Sequence, residues 1–248
     1  MVLAAGPLLA DGSGAYVRVA GGTLQSVLPV AKDRADTPVS AYWLAIAPVT
    51  NAEFAAFART RPKWRRGKAP RLFADENYLS HWTGHSSPLP GSGQQPVTRV
   101  SWFAAQAYCE AQGARLPTWH EWEFAAAASA TQADARHDPA WRQQILDWYS
   151  RPATGGLPDI GSAPANVYGV RDLHGVVWEW VEDFGAMMVS GDNREQGDPD
   201  LMKFCGAGAL TMEQKENYAV LMRIAMLSSL RASYTGTALG FRCAKDAP

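Results

Sequence analysis

Only three cysteines and five histidines occur in the 248 residues, so the side chains that hold soft and borderline metals are scarce. A net charge of −1 gives no general attraction to nucleic acid or to anionic lipid. No apolar run approaches the about 20 residues of a membrane-spanning helix. The chain also lacks internal repeats, low-complexity tracts, a Ser-His-Asp grouping with a nucleophile elbow and a phosphate-cradling glycine loop. Gly155-Gly156 and Gly206-Ala-Gly208 are not followed by the remaining elements of such a loop. The opening Met1 to Ala10 lacks a basic n-region and is not a complete signal peptide, so it fits either a cytoplasmic start or a mature exported chain.

What is present is apolar and aromatic. Hydrophobic residues make up 47% and charged residues 19%, enough for one substantial core, and a single domain over 15–246 behind a tail at 1–14 is the simplest division. Ten Trp, sixteen Pro and twenty-two Gly point to a loop-rich architecture packed largely by aromatic rings. Helices are expected at Asn51 to Ala58 behind Thr50, and at Trp102 to Gln112 between Ser101 and Gly113. A third starts at Thr118, where Thr118 and Glu121 have capping-box spacing. A hairpin is expected over Tyr16 to Val27 and a strand over Tyr42 to Ile46. Arg59 to Thr98 reads as a long connection and Gly185 to Asp200 as a mobile loop beside a pocket. Within the connection, Lys63 to Lys68 and Arg71 form a basic run around Trp64, read as a solvated loop in preference to a phosphate or base site. His81 and His85 are four apart, but Gly84 and nearby prolines oppose a helix, so they read as isolated loop residues.

Three segments carry a resemblance: Ser101 to Phe124 (SWFAAQAYCEAQGARLPTWHEWEF), Tyr168 to Trp180 (YGVRDLHGVVWEW) and Leu239 to Cys243 (LGFRC). In order and spacing they resemble the formylglycine-generating enzyme, or sulfatase-modifying factor, family. Tyr16 to Thr23 and Pro48 to Phe54 extend the likeness over nearly the whole chain. The resemblance implies an α+β, C-type-lectin-like fold with a small twisted antiparallel sheet, a few helices and much ordered loop.

Enzymes of that family oxidise a substrate cysteine with two copper(I)-binding cysteines in a C-x-x-x-Y-C-x-x-x-R pattern. Here Arg223 and Tyr218 match, while the two cysteine positions fall on Gln214 and Ala219, neither of which is a thiolate ligand. Copper is therefore not expected, and Glu213, Gln214, Tyr218 and Arg223 remain as candidate pocket residues. The resemblance further pairs Cys109 with Cys243 in a disulfide and puts the family's second bridge on Ala126 and Ile224. Cys205 is left over and reads as a small buried residue. Two neighbouring thiols in a cytoplasmic protein are the alternative to the bridge, which itself would favour an exported or periplasmic setting.

Calcium is the one metal the resemblance carries over, through Asp172, the carbonyls of Gly175 and Val177, and Glu179, with Val176 replacing the family's usual Asn. A second calcium site would need an insertion that Leu146 to Asn166 is too short to supply. Similar sulfoxide synthases of ergothioneine biosynthesis draw iron ligands from a separate HxxxHxE domain, a motif absent here. These observations favour a non-catalytic binding or accessory module for a peptide, glycan or partner protein. The alternative is a cysteine-independent oxidative tailoring enzyme similar to those of siderophore (pyoverdine) maturation.

Overall fold

The computed structural model describes residues 15–26, 36–150, 156–185 and 218–248, with Tyr149 and Tyr218 described by their backbone alone. Cys205, Met212, Glu213, Gln214 and the loop read over Gly185 to Asp200, except Gly185 itself, lie outside the described residues. The chain forms the α+β arrangement of short elements that its residues imply. Strands β1 (Tyr16–Val19), β4 (Tyr42–Ala45) and β7 (Ala244–Asp246) make an antiparallel sheet in the order β1-β4-β7. Alternation on β4 sends Tyr42 and Leu44 into the core and leaves Trp43 on the opposite face. β2 (Gly22–Gln25) pairs with β3 (Asp36–Val39), and β5 (Trp178–Trp180) runs parallel to β6 (Leu239–Phe241).

The hairpin expected over Tyr16 to Val27 does not form, because β1 pairs with β4 and β2 with β3, and not with each other. Gly21, at φ +75°, turns the chain off the first sheet. A Cβ there would stand 2.3 Å from the Val39 carbonyl oxygen, so only glycine fits this corner. The expected strand from Tyr42 is present and ends at Ala45.

All three expected helices are present: α1 (Asn51–Thr60), α2 (Trp102–Ala111) and α3 (Trp119–Ala126). Ser101 caps α2, and both Thr50 and Thr118 close full capping boxes, with Glu53 and Glu121 respectively. Two more helices go beyond the sequence expectation. α4 (Pro139–Ser150) starts with Pro at its first position, behind Asp138, which accepts from the Ala140 amide at 2.9 Å. α5 (Tyr218–Ser228) carries the segment that matches the family's catalytic run.

One buried cluster joins these elements, with Phe54, Tyr108, Trp82 and Phe241 at its centre. Phe54 stacks on Tyr108 at 5.8 Å and meets Phe241 edge-on at 6.1 Å. Such contacts each add about 1 kcal/mol beyond area burial. The disulfide joins Cys109 at the end of α2 to Cys243 just before β7. Gly240 opposes Glu179 in the parallel pair, and a Cβ there would lie 2.7 Å from the Val97 carbonyl oxygen, which accounts for the glycine of the closing GFR motif.

The basic run closes the end of α1. Arg65 donates to the carbonyls of Ala58 (3.2 Å) and Arg59 (2.7 Å), while Lys63 lies 4.1 Å above the Phe73 ring. Cations beside exposed helix carbonyls are favoured by the helix dipole. Residues 81–85 form turns and not a helix. His85 Nδ1 contacts the Arg66 carbonyl, and burial together with Arg99 and Arg66 pushes His81 down to about 4.

Candidate functional site

Ala219 and Arg223 are one helical turn apart and share a face of α5. That face closes a cavity of about 30 Å³ against α3, α4 and His174, with Trp122, Glu123 and Arg136 also in its wall. The space suits a water molecule or two. The structure thus brings two of the expected site positions, Ala219 and Arg223, to one cavity. No cysteine lines it.

Arg223 is 2% exposed and lies flat over the Trp122 indole, with its guanidinium carbon 3.4 Å from the ring centroid. Its Nη2 donates to the Glu179 backbone carbonyl at 2.9 Å. A desolvated guanidinium on an indole face gains about 2 kcal/mol, which helps to hold a cation here.

Glu123, 4% exposed, forms no ion pair among the described residues. Burial pushes its carboxyl up to about 7, opposed by Arg223 and Arg136 and assisted by Asp134. Arg136 is clamped by Asp134 through contacts of 2.9 and 2.6 Å, so its charge is largely balanced locally. His174 donates from Nε2 to the Ala126 carbonyl at 2.9 Å when written as the Nε2–H tautomer, leaving Nδ1 buried without a partner among the described residues. Burial takes its pKa down to about 4, so the ring is neutral at pH 7. The cavity therefore holds a carboxyl that exchanges its proton near neutrality, a neutral imidazole acceptor and a fixed guanidinium. Those are the parts of a proton-handling or small-polar-ligand site.

The sequence reading named Arg223 and the Ala219 position but missed Glu123, His174 and Arg136 as site residues. A signal existed for Glu123: it sits between Trp122 and Phe124-Ala125-Ala126 in a helix, where an acid has no polar face to occupy. Arg136 comes from a connecting segment whose position no local pattern reveals. Ala126 and Ile224, the positions of the family's second bridge, are both buried apolar residues.

The residues assigned to calcium surround the turn before β5. Asp172 (φ +57°) accepts from the Gly161 and Ala163 amides. Glu179 is sealed, and Arg242 clamps both its oxygens at 2.7 and 2.8 Å, while Trp122 Nε1 donates to one of them at 2.8 Å. Arg242 also donates to the carbonyls of Ala45, Ile46 and Arg171. The donor types suit a hard cation, but the charge of Glu179 is already balanced by Arg242. Calcium here would have to share Glu179 with a guanidinium. No cluster of three His, Cys, Asp or Glu is placed to hold a metal among the described residues.

Residues 10–247 match the model of the sulfatase-modifying factor enzyme 1-like domain. The chain is 27% identical to inactive C-alpha-formylglycine-generating enzyme 2 of Mus musculus over 249 residues, covering 86% of this chain and 77% of that one. It is 33% identical over 159 residues to the hercynine oxygenase of Mycolicibacterium smegmatis, covering 54% of this chain and 35% of that protein. It is 30% identical over 144 residues to the serine/threonine-protein kinase pkn1 of Chlamydia caviae, covering 58% of this chain and 23% of the kinase. The chain thus spans only a quarter to a third of these last two proteins. The fold is shared with PvdO from Pseudomonas aeruginosa, at a TM-score of 0.53 and 16% identity over 96% of each chain. The relatives include both an oxygenase and a protein named inactive, so membership leaves activity open. By the extent of these matches, the chain belongs to the sulfatase-modifying factor enzyme 1-like domain family.

Proposed function

We propose that this chain is a formylglycine-generating-enzyme-like domain without formylglycine-generating activity, acting as a binding or accessory module for a peptide, glycan or partner protein. One observation carries the reading. Of three cysteines in the sequence, two are joined as Cys109–Cys243, which leaves Cys205 alone. A copper(I) site of two thiolates cannot be built from one cysteine. Ala219 supports the same conclusion, because it puts a methyl group in the cavity wall where the family places a thiolate. The disulfide favours an oxidising compartment, so an exported or periplasmic location is part of the proposal.

The neutral-range carboxyl of Glu123, in the same cavity as Ala219 and Arg223, favours a second reading as a cysteine-independent oxidative tailoring enzyme. One experiment addresses both. The protein is purified without added metal, dialysed, analysed by elemental mass spectrometry and thiol titration, and incubated with copper(I), oxygen and a cysteine-containing sulfatase-motif peptide. One free thiol in three, no copper and no aldehyde on the peptide is the expected outcome. Stoichiometric copper or peptide aldehyde would overturn the proposal, and tightly retained iron would put the tailoring reading first. Calcium in the same sample would favour sharing of Glu179 with a cation.

A further inference from the structure

A larger cavity, about 240 Å³, lies elsewhere in the molecule and shares no lining residue with the one beside Ala219. Its floor is the outer side of the β1/β4 pair. Its walls are the start of α1, the end of α2 and Ile160. Ala45, Ile46, Ala47, Pro48 and Val49 make one side apolar. Four polar side chains line the space: Tyr16 on β1, Glu53 in the first turn of α1, Tyr108 on α2 and Gln112 at the end of that helix.

Among the described residues, Glu53 is the only acidic or basic one in this lining. Its Oε2 is taken by the capping box, accepting from the Thr50 amide (2.8 Å) and hydroxyl (2.7 Å), while Oε1 has no partner among the described residues. The hydroxyls of Tyr16 and Tyr108 form no hydrogen bond among the described residues either. Burial first, and the Glu53 charge second, hold both phenols protonated, Tyr16 at about 12 and Tyr108 higher. The electrostatic coupling agrees with the lining: both hydroxyls feel the same carboxylate. Lys245 sits 4.4 Å over the Tyr16 ring, and Arg242, clamped by Glu179, donates to the Ala45 and Ile46 carbonyls; neither side chain is part of the lining.

We infer that this cavity is a binding site for a small organic ammonium ion, with Glu53 as its counter-charge and the Tyr16 and Tyr108 hydroxyls as further acceptors. An ammonium group has three N–H donors and no acceptor, and the cavity lining offers four side chains able to accept, Gln112 among them, of which one carries the opposite charge. The apolar wall from Ala45 to Val49 receives the attached carbon chain, in the usual pattern of an apolar pocket with a few placed polar groups. A carboxylate ligand would meet Glu53 with like charge. A neutral alcohol would supply one donor to several acceptors and no charge to meet Glu53.

The test is a titration of the full chain with n-butylammonium, n-butanol and butyrate, followed through the backbone amide NMR signals of Tyr16, Ala47, Glu53 and Tyr108. A saturable shift with n-butylammonium alone is expected. Glu53→Gln should weaken it by about tenfold or more, since the amide can still accept the Thr50 cap bonds while losing the charge. Tyr108→Phe is a second variant that leaves the helix caps untouched, and it should weaken binding several-fold. Equal binding of n-butanol, an absence of saturation, or unchanged affinity in a folded Glu53→Gln protein would each overturn the assignment. None of these results bears on the copper assay, so the two proposals fail separately.

Discussion

Two buried acids, Glu179 and Glu123, both nearly sealed from solvent, are handled in opposite ways. Arg242 meets Glu179 through both carboxylate oxygens and donates to three backbone carbonyls besides. Its charge is cancelled within the contact. Glu123 makes no ion pair among the described residues, although Arg223, on the Trp122 ring, and Arg136 both act on it from nearby. The first arrangement locks β5 to the loops ahead of α1 and β5. The second keeps a carboxyl whose protonation changes near neutral pH. Burial alone therefore does not decide whether a charge is structural. What decides it is whether the counter-charge touches it.

The largest expected effect comes from breaking the closed pair. Arg242→Met strands Glu179 in a sealed site and should cost about 3 to 5 kcal/mol in denaturant unfolding. The double change Arg242→Met with Glu179→Met should recover much of that, because two apolar side chains leave no buried charge. Glu123→Gln should cost less, about 1 kcal/mol at pH 7, since it keeps the shape of a side chain that no cation contacts among the described residues. Equal costs for the two single variants would erase the distinction.

Next in size is the pH dependence of the second acid. The folded pKa of Glu123 is about 7 against an ordinary 4.5, so the native state holds an extra proton between those values. Its stabilising contribution is full below pH 4.5 and is lost as pH rises through 7, a change on the order of 3 kcal/mol. His174 acts in the other sense: lowered from 6.5 to about 4, it contributes above 6.5 and loses that contribution as pH falls. His81 adds to the same trend. Glu123→Gln should therefore remove the decline toward pH 7 and expose a steeper rise from acid, measured as unfolding free energy against pH. A profile identical to that of the unaltered protein would show that Glu123 titrates in its ordinary range.

The smallest effect serves as the control. Thr118 caps α3, the helix that carries both Trp122 and Glu123. Thr118→Ala should cost about 1 kcal/mol at every pH, without changing the profile's shape. A change in shape would mean that loosening α3 also alters the surroundings of Glu123.

Much of the fold was legible because its signals are local. Thr50, Ser101 and Thr118 announce helix starts through hydrogen bonds to amides three residues on, a matter of neighbouring residues only. The disulfide and the sheet-ending GFR followed from the family resemblance. The false hairpin arose because strand alternation reports that a strand exists and not which strand it joins, and β1 finds β4 across more than twenty residues. α4 was overlooked although Asp138-Pro139 is a start signal. In the site, Arg223 was readable from its motif. The state of Glu123 was not, because it depends on α4, α5 and Asp134-Arg136 converging from separate parts of the chain.

The Cys109–Cys243 bond, with a sequence separation of 134, has a topological consequence. It turns everything between those residues into a covalent ring that contains α3, α4, α5 and the whole Ala219 cavity. A single peptide-bond cut inside the ring opens it without releasing a fragment, and the two pieces part only when the bridge is reduced. Backbone cleavage and loss of the cavity's components are thus separate events as long as the surroundings remain oxidising.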